Sequence, residues 1–89
     1  MNIQQLKTFV TVIESGSFSQ AARVLGVSQP AVTMQVQNLE TDIGESLLDR
    51  RYRRIELTEA GRVLVPYARE MLKEADQARA DIAGLSGEG

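Results

Sequence analysis

The N-terminal third of the chain carries two apolar patterns of helical period, separated by a glycine. In the first pattern, large apolar residues recur at i, i+3, i+4 and i+7: Leu6, Phe9, Val10 and Ile13. This spacing predicts an amphipathic helix over residues 3–14. Ser17 and Gln20 then form a capping-box pair, which predicts a short second helix. Gly26 follows the last apolar residue of that helix and predicts a left-handed turn.

A third amphipathic segment follows the glycine turn. Ser28 is a suitable N-cap, and Pro30 is tolerated in the first turn, where backbone amides lack helical partners. The opposite side of this helix carries neutral hydrogen-bonding side chains, and Gly44 is expected to end it. Its predicted buried stripe consists of Val32, Val36, Leu39 and Ile43.

Residues 47–58 predict a hairpin and the start of a last helix. Two short apolar segments, residues 47–48 and 55–57, predict two strands. A two-stranded ribbon is marginal alone, so it must lean on the helices. Thr58 is positioned to cap a long last helix, in which Pro66 lies too deep for a first-turn proline and predicts a kink.

The last helix carries an apolar seam in which spacings of four and three alternate. The seam consists of Leu64, Ala68, Met71, Ala75, Ala78, Ile82 and Leu85. Such a seam is typical of a coiled coil, so we expect the helix to pair two copies of the chain. Residues 86–89 include two glycines and predict a hinge or a frayed end.

The order of these elements predicts a helix-turn-helix, in which the second helix of the close pair enters the major groove of DNA. With the hairpin, the predicted fold is mainly α. It is a winged helix-turn-helix of three helices plus a two-stranded wing over residues 1–58, followed by a long dimerisation helix over residues 59–85. A generic three-helix bundle that binds no nucleic acid is the structural alternative.

The polar side of the third helix suits the major groove. Gln can pair bidentately with adenine, and Thr can hydrogen-bond a base edge or contact a methyl group, so Gln29 and Thr33 are the first candidates for base contacts. Ser28 lies at the positive end of the helix dipole and is a candidate for a phosphate contact. A cap alone is the alternative explanation for Ser28.

The net charge of −2 argues against nucleic acid until the positions of the charges are considered. Four of the ten basic residues lie within five positions at the hairpin tip: Arg50, Arg51, Arg53 and Arg54. Like charges this close repel each other unless an anion separates them, and the DNA backbone or a narrow minor groove supplies that anion. Arg51, Arg53 and Arg54 are the candidates for wing contacts, the last two foremost. For Arg50, an ion pair with the adjacent Asp49 is an equal alternative.

Composition excludes several other classes of function. The chain has no Cys and no His, so disulfides, the commonest metal ligands and the usual general base are missing. We therefore expect no catalytic residue, no metal site and no cofactor, and a chain of 89 residues leaves little room for a substrate pocket. No apolar run reaches the roughly 20 residues that span a bilayer, and no secretory signal is recognisable, so the cytoplasm is the expected location.

Several motifs resemble those of LysR-type transcriptional regulators. They are Ser17-Phe18-Ser19-Gln20-Ala21-Ala22, Val27-Ser28-Gln29-Pro30-Ala31-Val32, Leu39-Glu40, Leu47-Leu48-Asp49-Arg50 and Leu57-Thr58-Glu59-Ala60-Gly61. The resemblance covers residues 1 to about 85. It implies a DNA-binding N-terminal region and a linker helix that forms a homodimer, usually as an antiparallel pair.

The resemblance also implies roles for individual positions and for a part of the protein that is not in this chain. Gln29, Pro30, Ala31 and Thr33 fall where family members contact bases, and Arg53 falls where a wing arginine enters the minor groove. An effector domain of about 200 residues is implied beyond the C-terminal end, a size ordinary for a domain. That domain would bind a small-molecule inducer and support a tetramer of the full-length protein.

Position 34 departs from the family pattern, because Met34 stands where family members often have Arg. Met can contact a thymine methyl group but cannot hydrogen-bond guanine, so we expect a more A/T-tolerant site at that base pair. Gln37, on the same polar side, completes the recognition-helix candidates.

The sequence therefore favours a dimer that binds double-stranded DNA at interrupted inverted repeats, with an affinity that falls steeply with salt. One alternative is a protein-interaction module that keeps the winged fold without contacting DNA. The other is an enzyme restricted to carboxylates, Ser, Thr and Tyr.

Overall fold

The computed structural model describes residues 1–87, which form four helices. These are α1 (Ile3–Ser15), α2 (Phe18–Leu25), α3 (Gln29–Ile43) and α4 (Glu59–Gly87). Residues 88 and 89 of the predicted hinge lie outside the described residues. Helix α4 continues two residues beyond the predicted end at residue 85.

Each of the first three helices begins at a side-chain cap. The Asn2 carboxamide accepts from the Gln5 N–H at 2.8 Å, and the Gln5 side chain accepts from the Asn2 N–H at 3.1 Å, which completes a capping box. Ser17 accepts from the Gln20 N–H at 3.0 Å, and Ser28 accepts from the Ala31 N–H at 3.2 Å. These caps fix where α1, α2 and α3 start.

The turn between α2 and α3 depends on Gly26, whose φ is +70°. This left-handed conformation lets the Val27 N–H donate to the Ala22 carbonyl at 3.0 Å and closes the helix. Ser28 then begins α3 two residues later, so the two helices of the helix-turn-helix are joined by a tight connection.

The core lies where α1 packs against the other three helices. The largest fully buried side chains are Phe9, Leu6, Leu39, Leu47, Val12, Val32, Val36 and Thr8. Ala21 and Ala22 of α2 are also buried, and their small size lets α2 approach its neighbours. Three members of the predicted stripe of α3, Val32, Val36 and Leu39, are fully buried, whereas the fourth, Ile43 at the end of the helix, is 37% exposed.

The wing, residues 47–58, is less regular than the predicted two-stranded hairpin. Its only pairing within residues 1–87 is one antiparallel bridge between Leu48 and Leu57. The Asp49 N–H donates to the Glu56 carbonyl at 2.8 Å, and the Thr58 N–H donates to the Leu47 carbonyl at 3.0 Å. Leu47 and Leu48 are both buried, which an alternating strand cannot achieve for adjacent residues. Core packing therefore replaces strand geometry at the base of the wing.

Helix α4 begins against the base of the wing. The Thr58 hydroxyl accepts from the Gly61 N–H at 3.0 Å and donates to the Ser46 carbonyl at 2.6 Å. A Cβ at Gly61 would lie 2.2 Å from the Leu47 carbonyl oxygen, so only glycine allows this close approach. Pro66 lies inside α4, and the residues on both sides of it are helical.

Candidate nucleic-acid interface

The side of α3 away from the core is exposed along its first half. Six of the seven recognition-helix candidates are exposed, and Thr33 is half-buried. The exposed ones are Ser28, Gln29, Pro30, Ala31, Met34 and Gln37. The amphipathic spacing of α3 thus brings the predicted residues onto one accessible surface.

Five of these residues line one shallow depression on α3, with a volume of about 430 Å³. They are Gln29, Pro30, Thr33, Met34 and Gln37. The Met34 side chain is 60% exposed, although methionine side chains are usually buried. The depression therefore combines amide donors and acceptors with an apolar floor, a combination that matches base edges carrying a thymine methyl group.

Arg51 of the wing is held by Asp49. Its Nε donates to both carboxylate oxygens, at 2.9 and 3.2 Å, and its Nη2 donates at 2.6 Å. The side-chain hydrogen bond from Arg51, followed by its backbone N–H bond, lowers the pKa of Asp49 from 3.8 to about 2, and the same contact raises the pKa of Arg51. The Arg51 guanidinium also lies over the Tyr52 ring, 5.7 Å from its centroid.

Arg50 pairs with Glu40 of α3, not with the adjacent Asp49 that the sequence offered as its partner. Its Nη2 donates to Glu40 Oε1 at 2.9 Å. The other Glu40 oxygen accepts from the N–H groups of Leu47 and Leu48, at 2.7 and 3.3 Å. One carboxylate therefore ties the recognition helix to the base of the wing. Glu40 belongs to the Leu39-Glu40 motif of the family resemblance, but the sequence alone assigned it no role.

The remaining two wing arginines differ from each other. Arg54 Nε donates to Glu56 Oε1 at 3.0 Å, so Arg54 is also paired with an acid. Arg53 makes no hydrogen bond and no ion pair within residues 1–87. Of the three predicted wing contacts, Arg53 is therefore the one whose charge is free in this structure, whereas Arg51 and Arg54 face carboxylates.

The predicted seam of α4 divides into two halves with different surroundings. Ala68 is fully buried against its own chain, and Leu64 and Met71 pack against the same core. Ala78, Ile82 and Leu85 are exposed, whereas Ala75 is half-buried. The first half of the predicted seam therefore packs within its own chain, and Ala68 is not accessible to a second chain.

A different set of apolar residues faces outward in the first half of α4. Val63 and Tyr67 are 59% and 65% exposed. They line an apolar groove of about 730 Å³ together with Met1, Ile43, Glu45, Leu47, Glu59, Ala60, Leu64 and Met71. Val63 and Tyr67 each lie one position before a residue of the predicted seam. The heptad pattern therefore did not identify them.

No helix within residues 1–87 is both long enough and apolar enough to cross a membrane. Over the same residues, no group of three or more acidic side chains is arranged to hold a metal ion.

Residues 3–62 match the family described as bacterial regulatory helix-turn-helix protein, lysR family. The chain belongs to this family. The match covers all of α1, α2 and α3, the wing and the first turn of α4.

Named LysR-type regulators are similar over nearly the whole chain. The HTH-type transcriptional regulator TfdT of Cupriavidus pinatubonensis is 45% identical over 92 residues, which cover 99% of this chain and 40% of TfdT. The nitrogen assimilation regulatory protein nac of Klebsiella aerogenes is 43% identical over 79 residues, 89% of this chain and 26% of nac. The chain thus spans well under half the length of these relatives.

Solved structures of LysR-type DNA-binding domains have the same fold. The BenM domain in a complex with catB site 1 DNA has a TM-score of 0.91 and 35% identity, and covers 97% of both chains. The CbnR domain in a complex with DNA has a TM-score of 0.86 and 42% identity, and covers 97% of this chain and 99% of that one. The predicted winged helix-turn-helix with a long C-terminal helix is confirmed.

Proposed function

We propose that this chain is the sequence-specific DNA-binding domain of a LysR-type transcription regulator. The observation that carries the proposal is the exposed, capped first half of α3 beside an arginine-bearing wing, on a fold shared with two DNA complexes. A regulator of this kind acts on chromosomal DNA, so we place it in the cytoplasm.

The recognition helix supplies the base contacts in this proposal. Gln29 and Thr33 hydrogen-bond base edges, Pro30 and Ala31 make close apolar contacts, and Met34 contacts a thymine methyl group. Ser28 and the N–H of Gln29 at the start of α3 bind a phosphate, because the helix dipole favours an anion there. Gln37, one turn beyond Thr33 on the same surface, extends the contact along the groove.

The wing supplies contacts to the sugar-phosphate backbone and the minor groove. Arg53 is the first of these, because its guanidinium has no partner within the described residues. Arg51 and Arg54 contact DNA only by exchanging their carboxylate partners for phosphate.

Two copies of the chain pair through α4. In an antiparallel pair, the first half of one α4 faces the second half of the other, so exposed Ile82 and Leu85 of each copy meet the groove beside Tyr67 of its mate. The small side chain of Ala75 lies near the crossing point and permits close approach. A two-fold dimer requires an operator with two-fold symmetry, which gives an inverted repeat interrupted by the distance between the two recognition helices.

The chain spans 40% of TfdT and 26% of nac, so the properties of a whole regulator are a separate proposal. We propose that the remainder of the protein binds a small-molecule inducer and assembles dimers into a tetramer.

Selection from a random pool of DNA duplexes tests the proposal. The 89-residue chain should enrich related sequences that contain two inverted half-sites. Gln29→Ala should weaken binding to the selected site by about 5- to 100-fold, the range for one bidentate base contact, whereas Gln4→Ala, at an exposed position of α1, should not. If no sequence is enriched, the chain is a protein-interaction module or has another function.

A further inference from the structure

The wing of the free protein is nearly neutral despite its four arginines. Three carboxylates, from Glu40, Asp49 and Glu56, hold three of the four guanidinium groups, which leaves a net charge of +1. The arginines were the reason to expect strong electrostatic binding of DNA, so their partners decide how much of that charge is available to phosphate.

The arrangement of the pairs makes them competitors of phosphate. Arg51 presents its Nε and Nη2 edge to Asp49, and this is the same fork that binds a phosphate bidentately. Asp49 also accepts from the Arg51 backbone N–H at 3.1 Å, so the carboxylate is fixed within the wing turn and cannot easily swing away. Asp49, whose pKa the Arg51 contact lowers to about 2, is ionised throughout the neutral range.

One side of the wing is balanced in charge. A depression of about 560 Å³ between the wing and the start of α4 is lined by three arginines and three acids. Its charged residues are Arg51, Arg54, Arg62, Asp49, Glu56 and Glu59. A phosphate that approaches this side meets as much negative as positive charge, whereas Arg53 is absent from its lining.

We propose that Asp49 and Glu56 limit the affinity of the chain for DNA of unrelated sequence by holding Arg51 and Arg54. Non-specific binding comes almost entirely from the neutralisation of phosphates, and a protein without base contacts can shift along the duplex to place any free cation against one. In the specific complex, base contacts from α3 fix the position of the protein on the duplex, so an additional free cation increases the affinity less. The two acids therefore raise the ratio of specific to non-specific binding. This inference rests on the proposed DNA-binding function.

Neutral isosteric variants test the proposal. Asp49→Asn keeps an oxygen that accepts the Arg51 backbone N–H, and Glu56→Gln keeps the length of the side chain, but both remove the charge that competes with phosphate. Binding to a duplex of scrambled sequence should tighten about two- to five-fold per variant at moderate salt. The slope of log K against log salt should steepen by about 0.9 for each arginine released. Glu14→Gln on α1 makes the same change in net charge and likewise releases an arginine, Arg69 of α4, with which Glu14 pairs at 3.8 Å. This pair lies away from the wing, so the variant should change neither quantity.

A double-mutant cycle identifies the responsible cation. In the wild-type chain, Arg51→Ala should leave the salt slope nearly unchanged, because Asp49 already holds Arg51 away from phosphate, although the unpaired Asp49 carboxylate should weaken binding by repulsion. In the Asp49→Asn chain, the same substitution should return affinity and slope to about their wild-type values. If Asp49 only shapes the turn, Asp49→Asn weakens binding and lowers the melting temperature instead, which overturns the proposal.

Failure of this inference differs from failure of the proposed function. If the wild-type chain selects no DNA sequence, the proposed function is wrong. If it selects an operator but both neutral variants keep the wild-type slope on scrambled DNA, only the role of Asp49 and Glu56 is wrong.

Discussion

Glu40→Ala removes the carboxylate that holds the wing against the recognition helix. The Glu40 side chain is only 13% exposed and accepts from four donors: the N–H groups of Leu47 and Leu48, the guanidinium of Arg50 and, at 3.4 Å, the hydroxyl of Ser46. Alanine leaves both amides without their acceptor at the base of the wing, where the leucine side chains are buried. The substitution should therefore destabilise the whole fold and not only loosen a surface loop.

The size of the effect follows from these contacts. A buried or part-buried N–H left without an acceptor costs about 1–3 kcal/mol. The short bond from Leu47 contributes most of this, and the half-exposed ion pair with Arg50 adds at most about 1 kcal/mol. We expect Glu40→Ala to lower the free energy of unfolding by about 2–4 kcal/mol. For a chain of this size, the melting temperature should fall by roughly 10–25 °C.

Urea and thermal unfolding followed by far-ultraviolet circular dichroism measure this loss. All variants are compared at the same protomer concentration, because dimerisation shifts apparent stability. Glu40→Gln keeps one acceptor oxygen and should lose only about 1 kcal/mol. Thr41→Ala, at the next and exposed position of α3, should stay within about 0.5 kcal/mol. A Glu40→Ala chain as stable as the Thr41→Ala control would refute the assignment of Glu40 as the link between α3 and the wing.

Three further substitutions test the recognition helix, the dimer and the base of α4. Met34→Arg should add a guanine preference at one base pair of the selected half-site, and an unchanged preference means that position 34 does not contact DNA. Ile82→Asp should shift the chain to a monomer in sedimentation and weaken operator binding, whereas Ala80→Asp, at an outer heptad position, should leave the dimer intact. Gly61→Ala should destabilise the fold by about 1–3 kcal/mol, because its Cβ would meet a wing carbonyl oxygen at 2.2 Å. A Cβ at Gly84 would meet no atom within 4 Å, so Gly84→Ala should be neutral or stabilising. Equal effects of the two substitutions on stability would contradict the close approach of Gly61 to the wing.

Local chemistry made the helix-turn-helix predictable from sequence. Ser17, Gly26 and Ser28 act within a few residues of their own position, so caps and turns follow from residue type and spacing. The reciprocal half of the predicted capping box at Ser17 is the exception, since Ser17 acts there as a simple cap. The buried side of α3 was equally predictable, because a period of 3.6 residues identifies one side of a helix whatever packs against it.

Contacts across the turn at Gly44 were not predictable in the same way. Glu40 and Arg50 are ten positions apart, and their pairing depends on the direction in which the chain leaves α3. The sequence offered Arg50 a nearer acid in Asp49, but the geometry of the wing gives that acid to Arg51. Neighbours in sequence are poor guides to ion pairs in a turn, because long side chains reach past the adjacent residue.

The seam of α4 shows a different limit. A heptad pattern reports that one side of a helix is apolar, but it does not tell whether the same chain or a second chain covers it. Ala68 belongs to the core of the protomer, while Tyr67, one position earlier, is exposed. The predicted seam and the exposed apolar residues are interleaved in sequence, because the first half of α4 has apolar residues on both its inner and outer sides. Only the second half, with Ile82 and Leu85, has a single apolar side.

The pairing of the wing arginines changes the expected dependence of operator binding on salt. Four free arginines per protomer would contribute a slope of about −7 for a dimer, at about −0.9 for each neutralised phosphate. With Arg53 as the cation that has no partner in the described part of the wing, the wing contribution should be nearer −2. The steep fall expected from sequence should therefore be shallower, with base contacts from α3 carrying a larger share of the affinity. Comparing the slope of the wild-type chain with those of Arg53→Ala and Arg51→Ala measures the contributions of an unpaired and a paired arginine separately. A loss of about 2 for Arg53→Ala with almost none for Arg51→Ala agrees with the ion pairs, whereas an equal loss for both variants means that phosphates displace the carboxylates when DNA binds.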